Sequence, residues 1–188
     1  MAPVTNIRSP IDHLPGEIIF QIANYVGIEN FNVIMILMQA NKKLRRILLS
    51  WPKWTCLKLP RSLYKLSNEN VQNIVGKLFH FIIPNLHVKL LRFDANNYGG
   101  FKDYHLRILS SQTPTLEYLN LRGSFKLTEA CMIEFFQTAS PECPACFDTD
   151  TQTNPTKHTK PLRELVISNI PSITNRVLEI IGDRCHNL

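Results

Sequence analysis

Apolar residues near the N-terminus recur at steps of three and four, which is the spacing of one face of an α-helix. Leu14-Pro15 opens this segment and Gly27 ends it, because proline suits the first turn of a helix and glycine suits its end. The pattern predicts a short helix with one apolar stripe. That stripe consists of Ile18, Ile22, Tyr25 and Val26.

Two further helices are predicted before Ser50. One runs from about Glu29 to Ala40, and Asn41 is suited to cap the next. Three helices this short cannot bury all their apolar surface among themselves. The stripe on the first helix therefore either packs on the rest of the chain or meets a partner protein.

After these helices the chain carries an internal repeat. Its first half has the form L-x-x-L-x-L, an alternation that predicts a short strand with one face toward a core. Four instances can be aligned. They are Trp54-x-x-Leu57-x-Leu59, Val88-x-x-Leu91-x-Phe93, Leu116-x-x-Leu119-x-Leu121 and Leu162-x-x-Leu165-x-Ile167.

Each instance is followed by apolar positions three residues apart, which predict a helix. Single strand–helix units cannot cover their own apolar side, so the units must stack. The sequence thus predicts an α/β fold with a small parallel sheet and the helices outside it. The side chains suited to cap the four helices are Ser67, Asp103, Thr128 and Thr174.

The spacing of the repeat marks one insertion. Val88 and Leu116 are 28 residues apart, and Leu162 and Leu188 are 26 apart, but 46 residues separate Leu116 from Leu162. The extra residues, 140–160, are rich in Pro, Thr and Asp and predict a surface loop. Leu188 falls where another strand would begin, so we expect a fragment or an unusually short protein.

Charge is unevenly distributed. Eight basic residues and no acidic one lie between Asn30 and Asn68, whereas the rest of the chain has 13 basic and 15 acidic residues. An acidic protein partner, a solvated surface and nucleic acid could each explain the tract, although few aromatic residues are interleaved for base stacking. No signal peptide or membrane-length apolar run is evident, so we expect an intracellular protein.

Candidate chemistry is sparse. Cys143 and Cys146 form a C-x-x-C pair in the insertion, with His158 twelve residues on, which is half of a zinc site at most. Cys131 and Cys185 suit small buried positions. No phosphate-binding loop, metalloprotease or nucleophile motif occurs, so we expect no catalytic residue, cofactor or metal.

The N-terminal pattern resembles an F-box. The resemblance rests on Leu14-Pro15, the following aliphatic residues, Asn41-Lys42-x-Leu44-Arg45 and the late tryptophans Trp51 and Trp54. The repeats resemble the cysteine-containing class of leucine-rich repeats, with Ile173-Thr174-Asn175 and Cys185-x-x-Leu188 at matching places. The resemblance implies an F-box over residues 8–53 and leucine-rich repeats over 54–188, with units starting near 54, 88, 116 and 162.

That resemblance implies a non-catalytic substrate adaptor of a cullin-based (SCF) ubiquitin ligase. Its F-box would bind the acidic adaptor subunit, and through it a cullin, while the repeats would hold an unknown protein substrate. The alternatives are a leucine-rich scaffold without a ligase and a zinc or redox protein. The implied ligase-side residues are Leu14, Pro15, Ile18, Ile22, Tyr25, Val26, Leu37 and Leu44, and the expected substrate-side residues are Arg92, Asn120 and Val166.

Overall fold

A computed structural model describes residues 10–27, 31–59, 68–86, 88–138 and 160–188. Within these ranges the chain is mixed α/β, with seven α-helices and one parallel sheet of four strands, so the predicted class is confirmed at this level. None of the described helices has the length and apolar content needed to cross a bilayer. The helices are α1 (Gly16–Val26), α2 (Phe31–Ala40), α3 (Lys42–Leu49), α4 (Asn68–Lys77), α5 (Asp103–Gln112), α6 (Glu129–Gln137) and α7 (Asn175–Arg184).

The three N-terminal helices begin and end close to where the sequence predicts. Pro15 directly precedes α1, and Gly27 ends it with φ of 74°, a left-handed conformation that glycine adopts without strain. The Asn41 side chain accepts hydrogen bonds from the backbone N–H groups of Lys43 and Leu44, at 2.7 and 3.3 Å. Its predicted role as the cap of α3 is therefore confirmed.

The sheet has the order of the chain. Its strands are β1 (Cys56–Lys58), β2 (Arg92–Asp94), β3 (Tyr118–Asn120) and β4 (Glu164–Val166), and each pairs in parallel with the next. Side chains alternate between the two faces of a strand. The central side chains Leu57, Phe93 and Leu119 are buried in the core, while the flanking positions line the opposite face.

The register corrects the alignment of the second repeat. Phe93 pairs with Leu57 and with Leu119, so its unit begins at Leu90, and the alignment on Val88 is two residues out of register. The error has a physical origin, because Ala95 fills the place that Leu121 holds in the next unit. The small alanine breaks the leucine pattern, although it is fully buried like Leu121. Leu90 to Leu116 then spans 26 residues, the same as Leu162 to Leu188.

Of the four caps predicted for the helices of the repeat, two are confirmed and one is wrong. The hydroxyl of Thr128 accepts the backbone N–H of Cys131, and that of Thr174 accepts the N–H of Val177. Asp103 is instead the first residue of α5, whose preceding residue is Lys102. Ser67 lies outside the described residues.

Asp103 links its helix to the following one. Its carboxylate accepts the backbone N–H of Thr128 at 2.9 Å and the Thr128 hydroxyl at 2.7 Å. The next interface repeats this contact, because the Thr174 hydroxyl donates to the Glu129 carboxylate at 2.6 Å. The first residues of α5 and α6 thus each accept a hydrogen bond from the cap of the next helix, which joins these consecutive units at their helix N-termini.

Equivalent turns after three strands require a left-handed backbone. Asn97, Gly123 and Asn169 follow β2, β3 and β4 at the same distance and have φ of 58°, 72° and 57°. Asparagine and glycine are the residues that adopt this conformation most readily. The backbone ladder continues through these turns, because the N–H of Asn97 donates to the carbonyl of Arg122 and that of Gly123 to Ser168.

Replacing Gly123 by alanine should destabilise the protein by about 1–3 kcal/mol. The backbone conformation is unfavourable for alanine, and its Cβ would lie 2.8 Å from Oδ1 of Asn97 and 3.2 Å from Cα of Asn97. Urea unfolding followed by circular dichroism measures the effect. Gly76→Ala is the matched control, since a Cβ there meets nothing within 4 Å and its φ is not left-handed. Equal effects of the two substitutions would contradict this account.

Two tryptophans lie between α3 and β1. Trp51 and Trp54 are both buried, and their rings meet edge to face with centroids 5.8 Å apart. The Trp54 indole N–H donates to the carbonyl of Leu48 in α3, and the Trp51 indole N–H donates to the side chain of Asn24 in α1. Both indoles therefore pack at the joint between the three N-terminal helices and β1.

Candidate functional site

The predicted apolar stripe on α1 lies largely in solvent. Ile18 is 39% exposed, Ile22 43% and Tyr25 94%, whereas Ile19 and Ala23 on the opposite face are buried in the core. Helix α1 therefore has two apolar faces, of which one packs on the core and the other does not. Exposed aliphatic and aromatic side chains at three- and four-residue steps are typical of a helix that packs on another protein.

The other predicted ligase-side residues differ in how accessible they are. Pro15 is exposed, and Leu14, Val26 and Leu37 are partly buried against the core. Leu44 is 4% exposed, so it supports α1 and α2 from within and is not itself available for contact. Of the predicted ligase-side residues, four are exposed at the surface: Ile18, Ile22 and Tyr25 on α1, and Pro15 directly before it.

Helix α2 adds exposed apolar side chains that the sequence prediction omitted. Val33 is 43% exposed and Ile36 64%, while Ile34, Met35 and Met38 are buried. The sequence of α2 is apolar around most of its circumference, so periodicity could not separate the buried face from the open one. We refer to Ile18, Ile22 and Tyr25 of α1 with Val33 and Ile36 of α2 as the open apolar residues.

Basic side chains of α3 lie at the surface of the same three-helix segment. Lys42 and Arg46 are exposed, and with Lys43 and Ile47 they line a surface pocket of about 430 Å³. Lys43 also donates to the carbonyl of Leu14 at 2.8 Å and so ties α3 to the start of α1. Arg61 and Lys65 of the basic tract lie outside the described residues.

A second candidate surface is the face of the sheet opposite the core. Its first row contains Cys56, Arg92, Tyr118 and Glu164 side by side on the four strands. The Arg92 guanidinium lies 4.1 Å from the centre of the Tyr118 ring and forms two contacts of 3.3 and 3.4 Å with the Glu164 carboxylate. Glu164 thereby raises the pKa of Arg92, and the guanidinium remains charged.

The second row of this face contains Lys58, Asp94, Asn120 and Val166. Arg92, Asn120 and Val166 therefore share one face in two adjacent rows, as the alternation predicts. Asn120, however, is only 7% exposed, and its side-chain amide oxygen accepts the backbone N–H of Arg122. Its side chain is occupied within the turn, so Tyr118 and Glu164 replace it as candidate contact residues. The alternation of side chains along a strand identifies both residues, because Tyr118 lies two residues before Asn120 and Glu164 two residues before Val166.

Two buried basic side chains have perturbed pKa values. The pKa of His105 is lowered to about 4, mainly by burial and also by repulsion from Lys102 and His80. Burial also lowers the pKa of Lys160 to about 8, where its ammonium donates to the hydroxyl of Ser110 and lies over the Phe135 ring. Both groups are buried against neighbouring side chains, His105 among aromatic rings and Lys160 beside Ser110 and Phe135, so we assign them to stability.

The two buried thiols among the described residues are poorly suited to react. Burial raises the pKa of Cys131 to about 12 and that of Cys185 to about 11, which keeps both protonated and weakly nucleophilic. The described residues contain no group of three histidine, cysteine or acidic side chains that could hold a metal ion. The C-x-x-C pair, Cys143 and Cys146, lies outside the described residues with His158.

No protein-family model matches this chain, and no curated protein has a significantly similar sequence.

Proposed function

We propose that this chain is a substrate adaptor of a cullin-based ubiquitin ligase. In this proposal the helices α1 to α3 are an F-box that binds the small acidic adaptor subunit, and the strand–helix units are leucine-rich repeats that hold a protein substrate. The observation that carries the proposal is the exposure of Ile18, Ile22 and Tyr25 on a helix that also has a buried apolar face.

The exposed stripe favours a docking surface over a simple cap of the repeats. A cap would turn its apolar residues toward Trp54 and Leu57, because hydrophobic surface is more stable out of water. Here Ile19 and Ala23 already fill the inward face of α1. The open apolar residues are not covered by the described part of the chain. Burying an isoleucine at a partner surface contributes about 2 kcal/mol.

Charge supports an acidic partner for the same segment. The exposed Lys42 and Arg46 side chains lie on α3, and no acidic residue occurs from Asn30 to Asn68. Opposite charge on the partner accelerates association and disfavours wrong partners. The pocket formed by Lys42, Lys43, Arg46 and Ile47 offers cationic groups beside an aliphatic side chain, which suits a partner that presents an acidic residue next to an apolar one.

The sheet face supports the substrate half of the proposal. Arg92, Tyr118 and Glu164 form a row of charged and aromatic side chains on a surface that the core does not use. Tyrosine and arginine are enriched at the energetically important positions of protein interfaces. The paired charges favour a protein surface with both charge signs, and disfavour a uniformly anionic ligand such as nucleic acid.

The proposed mechanism is proximity. Such an adaptor makes and breaks no covalent bonds, and instead raises the effective concentration of substrate lysines near a ubiquitin carrier. The ligase-binding surface and the substrate-binding surface must then be held in a fixed orientation to each other. The Trp51–Trp54 pair serves this purpose, because its indoles bond to α1 and α3 on one side and lead directly into β1 on the other.

Co-expression of the chain with the acidic adaptor subunit, followed by size-exclusion chromatography, tests the proposal. We expect a one-to-one complex for the wild type. The double substitution Ile18→Asp/Ile22→Asp should eliminate it, because each anchor contributes about 2 kcal/mol and charge now lies in an apolar contact. Both side chains are exposed in the free chain, so the fold should persist by circular dichroism.

Phe125→Asp is the matched control, since Phe125 is 61% exposed and follows β3 in the repeat region. This variant should co-elute with the adaptor subunit like the wild type. A folded wild-type chain that elutes alone would refute the F-box assignment and favour the alternative of a leucine-rich scaffold that joins no ligase.

A further inference from the structure

The face of the sheet opposite the core has two ion pairs side by side. Arg92 pairs with Glu164 in the first row, and Lys58 pairs with Asp94 at 3.6 Å in the second. The side chains of Lys58 and Arg92 are 59% and 46% exposed. Their cationic groups are therefore accessible to a partner, and ion pairs this exposed contribute little to the stability of the fold.

The two carboxylates of this face have no oxygen without a contact. Both oxygens of Glu164 contact the Arg92 guanidinium, at 3.3 and 3.4 Å. In Asp94, Oδ1 accepts the backbone N–H of Asn96 at 2.8 Å, and Oδ2 faces the Lys58 ammonium. Neither acidic side chain is therefore available to attract a basic group of a partner.

The basic groups, in contrast, keep unused hydrogen-bond donors. A guanidinium has five N–H groups and an ammonium has three. Arg92 uses two of its five in the ion pair, and Lys58 makes only its one long contact with the described residues. The Tyr118 hydroxyl accepts the side-chain N–H of Asn120 at 3.3 Å, so its own O–H can also donate. The group that complements this face is therefore an acceptor.

The two cations are close enough to bind the same acceptor. Cys56 and Lys58 lie on β1, and Arg92 is the partner of Cys56 on β2. Lys58 is thus diagonal to Arg92 on one face of the sheet, with β-carbons roughly 7 Å apart, which two long side chains can span. The Tyr118 ring supports the guanidinium from β3, with its centre 4.1 Å away.

We propose that this face binds one acidic side chain of the protein substrate, held between Lys58 and Arg92. The inference rests on the substrate half of the proposed function and names the chemistry of that contact. The occupant contributes a single carboxylate and not a run of acids. Two cations and two anions give this face no net charge, and Asp94 and Glu164 repel further negative charge.

The exposed thiol of Cys56 allows the site to be probed with small molecules. The protein is prepared with Cys143→Ser and Cys146→Ser, which leaves Cys56 beside the buried Cys131 and Cys185. It is equilibrated with equal concentrations of the disulfides of 3-mercaptopropionate and of its neutral amide. Mass spectrometry of peptic fragments then gives the ratio of the two mixed disulfides at Cys56, in the folded protein and in urea.

Folding should favour the carboxylate over the amide about fivefold relative to urea, because the tethered group reaches the two cations. Lys58→Met or Arg92→Met should bring the ratio back to its value in urea. Lys126→Met is the matched control, since it removes the same charge from an exposed position after β3 and should keep the preference.

Three results would overturn the proposal. Equal ratios in the wild type and the two methionine variants would show that the cations do not select a carboxylate. A preference for cysteamine would show that the acidic groups dominate this face. A preference for 2-mercaptoethyl phosphate over 3-mercaptopropionate would assign the site to a phosphorylated residue instead.

Selection of random peptides displayed on phage relates the site to the substrate. Peptides selected on the wild type should share one acidic residue, and the Arg92→Met protein should not retain them. Selected peptides without a shared acid would contradict the proposal.

Titration with the ligase adaptor subunit separates this result from the ligase role. Lys58→Met and Arg92→Met should bind the subunit like the wild type, because both residues lie on the sheet and not on α1 to α3. A wild-type chain that selects the carboxylate at Cys56 but does not bind the subunit would refute the ligase assignment and leave the acidic-residue site in place.

Discussion

Replacing Trp54 by alanine is expected to destabilise the protein by about 3–5 kcal/mol. The Trp54 side chain is 0% exposed, its ring meets Trp51 edge to face, and its indole N–H donates to the carbonyl of Leu48 at 2.6 Å. Alanine would leave a cavity at the joint between the helical segment and β1 and would remove this side-chain hydrogen bond, while the Leu48 carbonyl keeps its bond from the Trp51 backbone N–H. Urea unfolding monitored by circular dichroism measures the loss.

Trp54→Phe separates packing from hydrogen bonding. Phenylalanine keeps most of the buried aromatic surface but cannot donate to Leu48, so about 1–2 kcal/mol should be lost. A loss below about 1 kcal/mol for the alanine variant would show that the joint tolerates a cavity of this size. The packing of the joint would then not hold the two segments together as we describe.

Acid should destabilise the protein through His105 by as much as about 3 kcal/mol between pH 6.5 and pH 4. Its pKa in the folded protein is about 4, below the ordinary value of 6.5, mainly because burial disfavours the charged ring. The contribution is fully present above pH 6.5, and falls as the unfolded chain binds a proton that the folded chain excludes. Below pH 4 both states are protonated and no further loss arises from this group.

The geometry of His105 explains why the neutral ring is required. Its Nδ1 accepts the backbone N–H of Lys102 at 2.8 Å, so this nitrogen cannot carry a proton. The ring lies among Phe79, Phe101 and Tyr104, with 2% of the residue exposed. A proton on Nδ1 would break the bond that caps α5 and place a charge between aromatic rings.

His105→Gln is the variant that isolates this effect. Glutamine at the third helical position can accept the same N–H through its amide oxygen, as in a capping box, but it does not titrate. The difference in unfolding free energy between pH 7 and pH 4 should therefore be smaller in the variant than in the wild type. Parallel pH profiles of the two proteins would contradict the assignment to His105.

Local sequence signals predicted most of the fold, because each unit depends on short-range chemistry. Asn41, Thr128 and Thr174 cap helices as their side chains allow, and Gly27 ends α1 in a conformation that suits glycine. The alignment of the second repeat was wrong because two alignments, starting at Val88 or at Leu90, fit the same pattern of apolar residues. Val88, Leu90, Leu91 and Phe93 are all apolar, and the strand pairing with Leu57 and Leu119 decides between the frames.

The candidate sites were predictable only in outline. Periodicity identified the α1 stripe, but the same stripe could have packed inward. The burial of Ile19 and Ala23 on the other face decides its orientation. Asp103 looked like a cap of its own helix, yet it accepts hydrogen bonds from Thr128 of the next unit. Such contacts between units depend on stacking, which no single segment of sequence specifies.

Calorimetric titration of the purified acidic adaptor subunit into this chain tests the central claim most directly. We predict one-to-one binding that Ile22→Asp alone weakens by roughly 30-fold, equivalent to about 2 kcal/mol, while Phe125→Asp binds like the wild type. Higher salt should slow association, because Lys42 and Arg46 attract the acidic partner. The absence of binding to the folded wild-type chain, or equal loss of affinity in both variants, would contradict the account.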